Sequence, residues 1–191
     1  MKHFYVIALT ATLLFSSAIV SAQSNRAFKK GYRGSVEMSA GVVNGRIQQD
    51  FQLYSNVGKE MQPEEIIRFA TIHGYSFGTG LFVGAGLGYN FTLINSAQYA
   101  SVFVDAKYNF KDAPASPFME SRLGYNMFGE TRSDNGCAFF SIIGGVQTGR
   151  FSVSVGYEYC PLKQYNRVSN SSFVWSFYSM NMYFLSFAFD F

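Results

Sequence analysis

Leu81-Phe82-Val83-Gly84-Ala85-Gly86-Leu87-Gly88-Tyr89-Asn90-Phe91 repeats with a period of two. Leu81, Val83, Ala85, Leu87, Tyr89 and Phe91 fall on one face, and Phe82, Gly84, Gly86, Gly88 and Asn90 on the other. Successive side chains of a β-strand point to opposite faces, so the stretch reads as a strand with one wholly apolar side. Working outward from it, similar alternation runs through residues 32–42, 99–110, 117–128, 137–147, 151–160 and 178–191, with 69–77 as a weaker eighth segment. These segments have about the ten residues that a tilted strand needs to cross a bilayer.

The charges decide which face meets lipid. Charged residues make up only 14% of the chain and aromatics 18%, whereas soluble domains carry roughly 25% charged residues. The apolar faces of the seven clearer segments hold no Asp, Glu, Lys or Arg, while Arg33, Glu37, Asp105, Lys107, Glu120, Arg122 and Glu158 lie opposite. A Lys or Arg on a lipid-facing wall at mid-depth costs roughly 2–4 kcal/mol, so this segregation suits a greasy outside and a polar inside. A soluble barrel would show the reverse. Lipid tolerates no open sheet edge, and the expected fold is therefore all-β: a closed antiparallel transmembrane β-barrel of about eight strands in an up-and-down meander. The net charge of +3 is dispersed, with no Lys/Arg block interleaved with aromatics, which argues against nucleic acid as a partner.

The connections alternate in length. Residues 78–79, 111–116 and 148–149 are short, whereas 43–68, 92–98, 129–136 and 161–177 are mostly longer. Barrels of the Gram-negative outer membrane have short periplasmic turns and longer extracellular loops, which sets both termini in the periplasm. Asn44-Gly45 is a hairpin signal and is read as a hairpin above the membrane within the first loop. Tyr165, Phe173 and Trp175 in the last loop are candidates for a partner contact or for the interfacial aromatic girdle. At the N-terminus Lys2, the apolar run 4–20 and the small residues of Val20-Ser21-Ala22 fit a cleaved signal peptide over residues 1–22. Residues 23–191 form the barrel domain.

Three registers follow from the turns. A two-residue turn at Thr148-Gly149 sets Cys137 opposite Cys160, close enough for the disulfide that two cysteines in a secreted chain favour. If Phe110 pairs with Pro117, Asp105 faces Arg122 and Lys107 faces Glu120. A slip of two residues either way opposes like charges, so this register is expected and makes these four residues lumenal ion pairs. A turn at Gly78-Thr79 sets Phe69, Thr71, His73 and Tyr75 inside, opposite Gly88, Gly86, Gly84 and Phe82. His73, the single histidine of the mature part, then reads as a packed lumenal residue. No metal cluster, serine elbow or phosphate loop is found, so neither catalytic residues nor cofactors are expected.

Tyr183, Leu185, Phe187, Phe189 and Phe191 place apolar residues at every second position up to a terminal aromatic. This ending resembles the signal read by the outer-membrane barrel-assembly machinery. Lys30-Gly31-Tyr32-Arg33-Gly34, Thr71-Ile72-His73-Gly74-Tyr75 and Phe82-Val83-Gly84-Ala85-Gly86-Leu87-Gly88 resemble the small outer-membrane β-barrel domain proteins of the Bacteroidota. The resemblance implies the fold, contact with outer-membrane lipid and assembly by that machinery. Most members of that family have no assigned activity. The expected role is a non-enzymatic, structural or surface-interaction one, with the lumen plugged and extracellular loops offered to an unknown surface partner. A lipid A-modifying enzyme and a narrow pore, or a component of an outer-membrane transport complex, are the alternatives.

Overall fold

The computed structural model describes residues 28–50, 63–93, 98–128, 136–169 and 172–191, with side chains described throughout these except at 46–50 and 162–178. The signal peptide and the side chains of Tyr165, Phe173 and Trp175 lie outside the described residues. Among the described residues eight strands follow one another: β1 (Gly31–Asp50), β2 (Glu64–Ser76), β3 (Leu81–Thr92), β4 (Gln98–Asn109), β5 (Ala115–Phe128), β6 (Cys137–Thr148), β7 (Phe151–Ser169) and β8 (Ser172–Asp190). Each pairs antiparallel with the next, and β8 pairs back onto β1 from Ser35↔Asp190 through Ala40↔Leu185, closing the barrel. Closure leaves no edge strand within the barrel wall.

Alternation along the strands produces two chemically distinct surfaces. Val36, Leu87, Val104, Leu123 and Val155 stand out from the wall, whereas Ser101, Asp105, Arg122, Ser141 and Glu158 are buried inside. Aromatic rings flank this apolar band at both ends. Tyr32, Tyr75, Phe77, Tyr108, Phe110 and Phe151 lie near the end that carries the short turns, and Phe69, Tyr89, Tyr125, Phe140 and Tyr183 toward the loop end. Neighbouring rings meet edge-on or tilted, as in Tyr108–Phe110 and Tyr157–Tyr183 with centroids 5.4 and 5.3 Å apart. Two such girdles are the signature of a wall that faces lipid between two interfaces.

Three sequence expectations are corrected. The Asn44-Gly45 hairpin does not form: both residues lie inside β1, opposite Asn181 and Met180 of β8. A tight primed turn needs positive φ, which Gly31, Gly78, Gly80, Gly136 and Gly149 adopt and Gly45 does not. The long partner strand supplies a continuous ladder that overrides the local turn preference. For the same reason residues 161–177 are not a loop. β7 and β8 stay paired up to Ser169↔Ser172, and β1 follows β8 as far as Asp50↔Ser176.

The third correction concerns β2. The β2–β3 connection holds one residue more than expected: Gly78-Thr79-Gly80 intervene, with Phe77 N–H donating to the Leu81 carbonyl at 2.9 Å. Gly78 and Gly80 take φ of 79° and 89°, a backbone that L side chains rarely adopt. The register becomes Tyr75↔Val83 and His73↔Ala85. A one-residue slip exchanges the faces of a strand, so Ile66, Arg68, Ala70, Ile72 and Ser76 are inside, while Phe69, His73 and Tyr75 face outward.

Candidate functional site

The lumen is organised around two buried arginines. Arg122 comes from β5, where alternation turns its side chain inward together with Phe118 and Glu120. Its guanidinium donates to both oxygens of Glu37 on β1, Nη1 to Oε1 at 2.9 Å and Nη2 to Oε2 at 2.5 Å. Its Nε donates to Glu120 Oε1 at 2.6 Å and lies 3.3 Å from Asp105 Oδ1, and its Nη2 also contacts Glu120 Oε1. The guanidinium carbon sits 5.0 Å from the Phe103 ring centroid. One cation thus holds three carboxylates, and Ser39 Oγ adds a 2.9 Å hydrogen bond to Glu37. The forked, planar guanidinium suits this task because it donates in several directions at once.

Arg68 of β2 builds the second centre. It meets Glu158 of β7 through Nη1–Oε2 at 2.8 Å and Nη2–Oε1 at 3.0 Å, and its Nε donates to Asn90 Oδ1 at 2.6 Å. Asn90 passes the chain on to Ser101 Oγ at 2.7 Å, while Asn126 and Ser141 donate to Glu158 at 3.3 and 3.1 Å. The guanidinium also lies near the rings of Phe139 and Phe184, 5.9 and 5.7 Å from their centroids. Both arginines are only 1% exposed. Charges this buried are tolerable because each guanidinium nitrogen meets at least one acceptor.

The ladder sets Asp105 opposite Arg122 and Lys107 opposite Glu120, with Phe110 N–H donating to the Pro117 carbonyl at 3.0 Å. Lys107 forms no salt bridge with Glu120, however. Its ammonium lies over the Phe118 ring, 4.2 Å from the centroid, and Glu120 is taken by Arg122. The fork of the guanidinium outcompetes a single ammonium for the carboxylate. Cys137 and Cys160 are joined in a disulfide, with Cα atoms 6.2 Å apart. They are not directly opposed: Thr148 pairs with Phe151, so Gly149 at φ 61° and Arg150 form the turn and the ladder shifts by two residues. An even shift keeps both cysteines inside, and the bond runs diagonally. Of the terminal residues, Tyr183 and Phe191 are exposed on the outer wall, and Leu185, Phe187 and Phe189 are half-buried on the same face.

Two features escaped the sequence reading. The connection lengths place Arg68 in the first loop, yet its parity decides the phase of β2, since a charge on the lipid side is costly. His73 is not lumenal. It stands exposed on the outer wall near the turn end, its Nδ1 hydrogen-bonded to the Tyr32 hydroxyl at 2.5 Å and its Nε2 to Thr71 Oγ1 at 2.9 Å. Among the described residues no group of three or more His, Cys, Asp or Glu is arranged to hold a metal ion.

No family model matches the chain, and no curated protein matches it in sequence. Among solved structures it is similar to the outer membrane enzyme PagL, at 15% identity and a TM-score of 0.56, over 81% of this chain and 98% of that one. It is also similar to neisserial surface protein A, at 17% identity and a TM-score of 0.49, over 84% of this chain and 99% of that one. A further similar structure is outer membrane protein OprG from Pseudomonas aeruginosa, at 9% identity and a TM-score of 0.46, over 87% and 99%. At such identities the likeness to PagL is one of fold: the closed barrel of an outer-membrane protein.

Proposed function

We propose that the chain is a small, non-enzymatic outer-membrane β-barrel with a structural or surface-interaction role, its turn end in the periplasm and its loop end outside the cell. The observation that carries this reading is the pairing of an outer wall whose one described strand charge, Glu65, lies at the loop-end rim with a lumen filled by the Arg68 and Arg122 clusters. Beside Arg122 the lumen leaves a cavity of about 30 Å³, room for an isolated water and not for a column of solute. A sealed barrel acts through what it displays. Strands β1, β7 and β8 have 20, 19 and 19 residues, against 12 to 14 in the other five. At about 3.3 Å per residue the surplus projects beyond the wall as a three-stranded sheet on the loop side, a ready surface for a partner outside the cell. The terminal residues Tyr183 to Phe191 serve as the signal for the assembly machinery.

Cross-linking and co-purification from outer membranes tests the role. The intact chain is expected to retain a partner that is lost when residues 163–175 are replaced by a short turn, the barrel still folding. Equal retention by both chains defeats the display reading.

A lipid-modifying enzyme is the second reading, favoured by one observation. The Thr71 hydroxyl, His73 and the Tyr32 hydroxyl form a hydrogen-bonded row on the lipid-facing wall, the geometry of a nucleophile beside a base. Among the described residues no carboxylate orients His73, and the row lies near the turn end, in the leaflet away from lipid A. Unchanged membrane-lipid mass spectra in a deletion strain dispose of it.

A further inference from the structure

The turn-end rim carries a pocket that the sealed lumen does not explain. Residues 28–30 strap across this end of the barrel. Phe28 N–H donates to Asp112 Oδ1 in the β4–β5 connection at 3.1 Å, and Arg33 Nη2 donates to the Lys29 carbonyl at 3.1 Å. Lys30 lies against the β2–β3 connection, where a Cβ placed on Gly78 would be 3.2 Å from its own Cβ. The strap, the β6–β7 turn and the end of β8 enclose a cavity of about 140 Å³. Lys29, Lys30, Arg33 and Arg150 line it, with Tyr32 and Phe191. Among the lining side chains the one carboxylate is Asp190, which already accepts from Gln147 Nε2 at 2.7 Å.

Two properties point to the kind of ligand. The four cations outnumber the Asp190 carboxylate and the main-chain carboxylate of Phe191, so the pocket favours an anion. Its aromatic members belong to the outer wall, Tyr32 being 67% and Phe191 55% exposed, so it opens at the level where wall meets headgroups. His73 holds both in place: Tyr32 stacks on it with centroids 6.1 Å apart and Phe191 meets it edge-on at 6.0 Å. A soluble anion needs no such apolar flank, and a lumenal one would not be met on the outside.

We propose that this rim pocket binds the headgroup of an anionic phospholipid in the adjoining leaflet. The cations meet the phosphodiester, and Tyr32 and Phe191 flank the glycerol and the first acyl carbons. Guanidinium groups suit phosphate oxygens through paired N–H bonds. The proposal rests on the reading of the wall as lipid-facing, which the test checks separately.

The full barrel is inserted into vesicles of phosphatidylethanolamine doped with phosphatidylglycerol, extracted, and its bound lipid identified by native mass spectrometry. Heat-modifiable migration on a gel reports insertion; a wild-type chain that fails this step overturns the barrel reading itself. The wild type is expected to retain phosphatidylglycerol above its share in the vesicle. Lys29→Gln/Lys30→Gln/Arg150→Gln is expected to lower that enrichment about a hundredfold, because each cation near an anionic surface contributes roughly fivefold. Lys111→Gln, which removes one charge from the β4–β5 connection outside the pocket, is expected to leave it unchanged. Should the triple variant fail to fold, Arg150→Gln alone is expected to show about a fivefold loss. Undiminished enrichment in the charge-removed variants overturns the proposal. Displacement of the lipid by inorganic phosphate at equal concentration overturns it too, and assigns a soluble anion instead.

Discussion

At the residue scale the lumen is governed by competition for a few guanidinium groups. Arg122 serves three carboxylates, so removing it leaves Glu37, Asp105 and Glu120 facing one another without their common partner. Arg122→Met is expected to destabilise the folded barrel by about 3–5 kcal/mol, the usual penalty for orphaning a buried charge, read from urea unfolding in micelles. Glu120→Gln is expected to cost less, because the bidentate contact to Glu37 survives. The Cys137–Cys160 bond closes a loop with a sequence separation of 23. Cys137→Ala/Cys160→Ala is therefore expected to lose about 3 kcal/mol, and reducing agent is expected to shift the wild type by a similar amount and the variant not at all. Gly86 is set by space: a Cβ there would fall within 2.5 Å of Phe103 Cε2. Phe103 in turn supports the Arg122 guanidinium, which ties a glycine of β3 to the ion-pair cluster.

At the element scale the phase of each strand decides which residues meet lipid. β4 and β5 were legible because their charges alternate strictly with apolar residues, and opposite signs aligned in only one register. β2 was not. Both of its faces carry aromatic or aliphatic groups, and its one decisive charge, Arg68, lies at the end where the strand merges with the first connection. The structure therefore makes a sharp prediction for β2. A nitroxide label at residue 71 or 73 is expected to be quenched by a lipid-soluble relaxant, and a label at residue 72 is not; the reverse pattern would restore the sequence-based register. On β4, Val104→Lys is expected to cost roughly 2–4 kcal/mol as a cation on the lipid side, whereas Ala106→Leu on the same face is expected to be well tolerated.

At the scale of the whole molecule, closure converts eight half-polar strands into a wall and a core. An eight-stranded barrel has an interior that side chains can fill, and here two arginine clusters and the rings of Phe103, Phe118, Phe139 and Phe184 fill it. Planar-bilayer recordings are expected to show no stable large conductance from the wild-type chain. A steady open channel would contradict a sealed lumen. The surplus length of β1, β7 and β8 lies on one side of the barrel only, so the projecting sheet is asymmetric around the rim, and under the proposed surface role a partner is expected to approach from that side.

The sequence by itself determined the barrel, because a period of two with charges confined to one face has a single low-energy solution in lipid. It also determined the Asp105–Arg122 opposition, since neighbouring strands joined by a short turn meet within a few residues. Only the tertiary structure decided the rest. Glu37 reaches Arg122 across 85 residues and Arg68 reaches Glu158 across 90. Such contacts depend on the barrel's radius and stagger, which no local pattern encodes. The same holds for Lys107, which the register set against Glu120. Once the barrel closed, a guanidinium with several donors took that carboxylate, and the ammonium settled over an aromatic ring.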